Sequence, residues 1–197
     1  MKIYKELNEK ILDEIVDVLD NDGLIIFPTD TVYGIACNSF SENAIKKIFN
    51  AKNRDFDKPI GVLTDSIDKI NLVVENMSSI ECDLINKYFP GNLTIIFKKK
   101  DSVSDMLTAN KSTIGVRIPD NEIALSILKR YPYPLATTSV NLSGEKEGTC
   151  IDDFKDEFFD KVDIIIDGGV TSEVPSTIVC VINNEICVLR EGSLKIK

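Results

Sequence analysis

Lys52-Asn53-Arg54-Asp55-Phe56-Asp57-Lys58-Pro59 puts three cations within seven residues of a 197-residue chain whose formal charge is −9. A helical pattern ends just before it, near Ala51, and an apolar strand pattern over 60–64 follows. The chain thus passes from helix to strand across a basic loop, the unit of an α/β fold. Pro59 closes the loop, since its ring fixes its own φ and holds Lys58 extended. Two readings of the stretch stand. Asp55 and Asp57 can neutralise the lysines in a solvated turn, the usual fate of a charge run. Alternatively the cations serve an anion, because loops on rigid scaffolds carry function.

The same helix-then-strand rhythm extends in both directions. Upstream, Leu7, Ile11, Leu12, Ile15, Val16 and Leu19 recur at helical spacing, with Gly23 as a stop. Residues 24–27 read as a buried strand broken by Pro28, and Thr29, Asp30, Thr31 and Tyr33 crowd a polar turn before the next apolar run. Ser41 is placed to cap the helix that reaches Ala51, with Ala44, Ile45, Ile48 and Phe49 as its apolar face. Downstream, 78–88 reads as a helix stopped by Phe89-Pro90-Gly91, and 93–97 as a strand ending in three solvated lysines. Alternation over 113–119 makes a strand that carries Arg117 into an apolar stretch, where an arginine needs a carboxylate or phosphate partner. Asn121 caps a helix to Lys129. The run 134–144 is dense in small hydroxyls and amides, either a plain turn or a set of donors for phosphate oxygens. Strands over 163–167, 177–182 and 186–189 complete the chain, with Gly168-Gly169 as a turn. About seven strands and four or five helices, with no repeat or linker, indicate one α/β domain over 1–197 with a mixed sheet.

Composition narrows what an anion site here can do. Hydrophobic residues make up 43% and charged residues 28%, enough for a sizeable core. No apolar run approaches the roughly 18 residues that span a bilayer. The first residues are too polar for a signal peptide, so a cytoplasmic protein is expected. Five scattered cysteines (Cys37, Cys82, Cys150, Cys180, Cys187) form no CxxC pair, which argues for reduced thiols. The absence of histidine excludes a Ser-His-Asp triad, a histidine base and histidine-ligated metal. With 32 acids against 23 bases the chain repels a nucleic-acid backbone. Neither GxxxxGK[ST] nor GxGxxG occurs, so any nucleotide site is assembled from separated loops.

Seven short motifs supply such loops in order between Gly23 and Gly192: FPTDTVYGIA, AKNRDFDKP, FPGNLT, TIGVRIP, PLATTSVNLSG, PSTIV and LREG. Together they resemble the YrdC-type threonylcarbamoyl-AMP synthase family in its short, single-domain form. The resemblance implies a YrdC-like twisted mixed sheet flanked by helices around a deep, positively lined cavity. It also implies that L-threonine, bicarbonate or carbon dioxide, and ATP give threonylcarbamoyl-AMP and pyrophosphate. Separate threonylcarbamoyl-transferase proteins would then modify tRNA, which this acidic chain meets indirectly or weakly. Matching positions make Lys52 and Arg54 the catalytic cations. Arg54, Lys58, Thr113, Ser139, Asn141 and Arg190 fall to ATP, and Thr31, Tyr33, Arg117, Thr137 and Ser176 to L-threonine. Arg117 would fork onto the threonine carboxylate. Magnesium is expected with ATP, held mainly by phosphates, with no organic cofactor.

Some positions depart from that family's commoner pattern. Asp55 and Asn92 replace frequent prolines, Leu63 stands where longer relatives carry a histidine, and Lys58 where asparagine is frequent. Glu147 replaces a small hydroxyl residue near the nucleotide, where a carboxylate disfavours ATP unless it points away. Two other readings keep the fold: carbamoyl-AMP chemistry on another acceptor, and a non-enzymatic RNA-binding module.

Overall fold

Polar caps set the helix starts. Asn8, Ser41, Ser66, Ser78, Ser104 and Asn121 each turn a side-chain oxygen onto an N–H of the first turn, satisfying a donor that the helix itself leaves unpaired. In the computed structural model, which describes residues 1–172 and 174–196, the helices are α1 (Glu9–Asp20), α2 (Glu42–Lys52), α3 (Ile67–Val73), α4 (Ser79–Tyr88), α5 (Asp105–Thr108), α6 (Glu122–Arg130) and α7 (Lys155–Phe158). The strands are β1 (Lys2–Tyr4), β2 (Ile25–Pro28), β3 (Tyr33–Asn38), β4 (Gly61–Leu63), β5 (Leu93–Lys98), β6 (Thr113–Arg117), β7 (Leu135–Ser139), β8 (Ile164–Ile166), β9 (Thr177–Ile182) and β10 (Glu185–Arg190).

All ten strands join one mixed sheet in the order β1-β8-β2-β3-β7-β4-β6-β5-β9-β10. Side-chain alternation divides the core between its faces. Ile25 and Phe27 of β2 pack with Ile15 and Leu19 of α1 and with Ile127 and Leu128 of α6. Ile26 belongs to the larger opposite cluster with Ile45, Ile48 and Phe49 of α2 and Leu84 and Ile85 of α4. Among the described residues no helix is long and apolar enough to cross a membrane.

The sequence-based expectation of seven strands falls short by three. Pro28 does not break β2; it is its last residue, opposite Tyr33, where the missing N–H costs little. The hydroxyl-rich run is not a plain turn, since its first half is β7, a central strand between β3 and β4. The amino-terminal residues pair in parallel with β8 as β1.

This arrangement opens a hollow on one face. Leu135, Thr137 and Ser139 share a face of β7; Leu135 is in the core beneath α1 and α6, while Thr137 and Ser139 line open space. Gly34, Gly61 and Gly115 floor that space on β3, β4 and β6. A Cβ at Gly61 would lie 3.0 Å from Gly115 O, and one at Gly115 would meet Ile96 Cδ1 at 3.2 Å and Thr94 Cγ2 at 3.4 Å, so side chains here would crowd the floor.

Candidate active site

The hollow has two connected parts. An inner chamber of about 220 Å³ is lined by Thr29, Thr31, Thr94, Arg117, Thr137 and Ser176 among others. An outer recess of about 550 Å³ is lined by Lys52, Arg54, Asn141, Ser143 and Lys146. Thr138, Ser139, Glu147, Pro175 and Arg190 line both, so the parts form one continuous site.

Arg117 anchors the inner chamber from the end of β6. Its Nη2 donates to Asp30 Oδ1 (2.5 Å) and Asn92 Oδ1 (3.2 Å), its Nη1 to Thr31 Oγ1 (2.8 Å), and its Nε to Gly91 O (2.9 Å). The buried carboxylate expected beside this arginine is therefore Asp30, whose second oxygen, Oδ2, is buried without a hydrogen-bond partner. Four of the five guanidinium N–H groups are committed. In this arrangement one Nη1 proton remains for a ligand. Burial lowers the Arg117 pKa, and Arg190 nearby lowers it further, while Asp30 opposes both.

Across the chamber, Arg190 donates from Nε (3.1 Å) and Nη2 (2.8 Å) to Ser176 O, and more weakly from Nη2 to Ser176 Oγ. Ser176 Oγ in turn pairs with Thr94 Oγ1 at 2.8 Å. The Tyr33 hydroxyl donates to Gly169 O (2.7 Å) and accepts from Gly168 N (3.0 Å), and burial pushes its pKa up to about 12. It shapes the wall as a neutral phenol. Thr137 Oγ1 donates to Leu135 O of its own strand.

Lys52 is not on the basic loop. It is the last residue of α2 and 1% exposed. Its Nζ donates to Ser139 O, to Asn141 O (2.7 Å) and to Asn141 Oδ1 (3.0 Å), while Ser139 Oγ donates to the same Asn141 oxygen. All three ammonium protons hold the turn after β7, so Lys52 offers charge to the recess and shapes its wall. Burial, and then Arg54, push its pKa down to about 7, partly opposed by Glu147.

Asn53, in the left-handed conformation (φ 47°), ends α2 and starts the loop. Phe56 stacks on Phe49 with centroids 4.6 Å apart, holding the loop against its helix. Arg54 donates to Lys58 O (3.2 Å) and Pro59 O (2.9 Å). Lys58 pairs with Asp55 at 3.0 Å and reaches Ser143 Oγ at 3.3 Å. The solvated reading thus describes Lys58, and the anion-facing reading Arg54. Thr113, expected near the nucleotide, is exposed one alternate position beyond Gly115, outside the lining of either part.

Sequence reasoning missed Thr94 and Thr138 and the partnership of Asp30 and Asn92 with Arg117. Thr94 was signalled only as the last residue of the FPGNLT motif and as a threonine beside the isoleucines of β5.

The Sua5/YciO/YrdC family model, described as telomere recombination, matches residues 17–192. The chain belongs to this family. Its relatives include a Methanocaldococcus jannaschii protein provisionally named threonylcarbamoyl-AMP synthase, 38% identical over 100% of this chain and 94% of its own length. The solved Pyrococcus abyssi Sua5 complexed with L-threonine is 31% identical with TM-score 0.92, over 98% of this chain and 57% of its own. The chain thus spans little more than half of that longer protein. Escherichia coli YciO is 25% identical with TM-score 0.88, over 99% of this chain and 95% of its own. In this Sua5/YciO/YrdC protein Leu63 walls the inner chamber, Asn92 accepts from Arg117, and Glu147 lines both parts of the site.

Proposed function

We propose that this chain makes threonylcarbamoyl-AMP and pyrophosphate from L-threonine, carbon dioxide or bicarbonate, and ATP. One observation carries the reading: a hydroxyl-lined chamber holding two arginines opens directly into a recess where Lys52, Arg54, Lys146 and Arg190 outnumber Glu145 and Glu147, and Ser139, Glu147 and Arg190 line both. The first suits a small amino acid, the second a polyphosphate. The names of the Methanocaldococcus and Pyrococcus relatives support the same pairing of ligands.

The chemistry follows from that adjacency. Threonine lies in the inner chamber with its carboxylate toward the remaining Nη1 proton of Arg117, and with Thr31, Thr137 and Ser176 nearby. Its amine becomes a carbamate whose oxygen attacks the α-phosphorus of ATP. The bond to the bridging oxygen breaks, and pyrophosphate leaves toward the recess. This step is an adenylyl transfer, governed by positioning and charge stabilisation, so it needs no histidine. Arg54 and Arg190 offset the phosphate charge directly, Lys52 through its field and through the turn it holds, and Lys58 at the rim. Asn141 and Ser139 shape that turn.

Magnesium arrives in this reading as part of the ATP substrate, held by phosphate oxygens and water. The product passes to threonylcarbamoyl-transferase proteins that act on tRNA. Pyrophosphate release that requires L-threonine tests the reading. Equal release with other amino acids would instead indicate chemistry on another acceptor.

A further inference from the structure

Glu147 is the one carboxylate lining the inner chamber among the described residues, and it also lines the recess. It stands where the two parts meet, and its charge acts on Lys52. The backbone on its carboxyl side is firmly held. Gly148 donates its N–H to Val140 O (2.9 Å) and accepts from Tyr33 N (3.2 Å). A Cβ at this glycine would lie 2.5 Å from Phe154 Cδ1, so only glycine fits against that ring. Thr149 N, Thr149 Oγ1 and Cys150 N then all donate to Asp153 Oδ2, at 2.8, 2.9 and 3.1 Å. A charged side chain at this spot is costly for a site that binds polyphosphate, unless it does something there.

The reaction supplies a need. A carbamate cannot form on an ammonium, whose nitrogen has no free electron pair, so a proton must leave as the N–C bond forms. The chain has no histidine to take it. Arg117 and Arg190 have no acceptor. The Tyr33 hydroxyl is committed to Gly168 and Gly169, and the Lys52 Nζ, although held near pKa 7, is bonded to Ser139 O, Asn141 O and Asn141 Oδ1. The serine and threonine hydroxyls are neutral and too weakly basic. Glu147 combines negative charge, acceptor lone pairs and a place at the junction. The amine must sit at that junction, because its carbamate has to reach the α-phosphorus.

We infer that Glu147 receives the substrate ammonium and accepts a proton from its nitrogen as the carbamate forms, an assignment that rests on the synthase reading above. One proton first leaves the ammonium to water, which frees the electron pair. That pair forms the N–C bond while one C–O π pair moves onto oxygen, and a proton of the carbon-bonded nitrogen passes to the Glu147 carboxylate, leaving the carbamate anion and a Glu147 carboxylic acid. That acid returns its proton to solvent. The sum is ammonium plus carbon dioxide giving carbamate plus two protons. A carboxylate suffices as acceptor because bonding to the electron-poor carbon makes the nitrogen's protons far more acidic.

The test compares wild type with Glu147→Gln, Glu147→Asp and Glu147→Ala. It measures pyrophosphate release at saturating ATP, bicarbonate and L-threonine from pH 6.5 to about 9, with ATP binding followed separately. At pH 7 Glu147→Gln is expected to lose about 100-fold or more in kcat, the lower end of general-base effects. ATP binding should be unchanged or tighter, since a negative charge has left the recess. The deficit should shrink about tenfold per pH unit as solvent takes over deprotonation. Glu147→Asp should recover part of the rate, and added formate should restore part of Glu147→Ala. A Glu147→Gln rate equal to or above wild type, or a deficit constant across pH with no formate rescue, overturns the assignment. If Glu147→Gln loses ATP binding, the Glu147→Asp profile and the formate rescue decide. An active wild type beside an unaffected variant removes Glu147 alone. A wild type that releases no pyrophosphate with threonine removes the synthase reading and this assignment with it.

Discussion

Removing the Arg117 charge should unfold more than the chamber it lines. The guanidinium ties the end of β6 to Asp30 and Thr31 in the β2–β3 turn and to Gly91 and Asn92 before β5. Its side chain is 7% exposed and that of Asp30 13%, so neither charge is relieved by water. Arg117→Met leaves the Asp30 carboxylate buried with no cation, and breaking such a pair costs about 3–5 kcal/mol. Asp30→Asn strands Arg117 instead, at about 3 kcal/mol, since three neutral acceptors remain to it. The double variant buries no charge, so it should cost no more than the worse single, giving a coupling of about 3 kcal/mol. Urea unfolding followed by circular dichroism reads this directly, since the chain has no tryptophan. At a slope of about 2 kcal/mol per molar urea, Arg117→Met should lower the midpoint by about 2 M. A single-variant loss below about 1 kcal/mol, or losses that simply add, would refute the claim that this pair organises the site.

Three further outcomes follow from the geometry. Because Lys52 is held near pKa 7 in the free protein and ATP phosphates favour its charged form, ATP binding at pH 8 should take up protons. Calorimetry in buffers of different ionisation enthalpy would detect this uptake, and Lys52→Met should abolish it. Gly61→Val fills the chamber floor, where even a Cβ meets Gly115 O at 3.0 Å; threonine affinity should fall by about tenfold or more, read by calorimetry, with a smaller effect on ATP. Phe56→Ala removes the stack on Phe49 and should cost about 0.5–1.5 kcal/mol in urea unfolding.

How much of this was legible in the sequence varied with the physical signal. Helix starts were clear, because Ser41, Ser78 and Asn121 are capping residues standing directly before amphipathic runs. The strand β7 was obscured because its cavity face carries Thr137 and Ser139 in place of apolar residues, so it reads as a turn unless the hollow beneath it is known. Arg117 announced its need for an anion, yet nothing local identified Asp30, which lies 87 positions away. Lys52 looked like a loop cation; only the pairing of β7 beside β3 shows that the turn it grips lies over the end of its helix. Glu147 was flagged by its chemistry, but its place in the lining of both parts of the site is visible only in the fold.

The most direct measurement of the central claim is pyrophosphate release from ATP with magnesium and bicarbonate, with and without L-threonine, on wild type and Arg54→Ala. The account predicts release that depends on threonine and falls by at least about tenfold in the variant, through loss of a phosphate-facing cation. Folded wild-type protein that binds ATP but releases no pyrophosphate with threonine would contradict it.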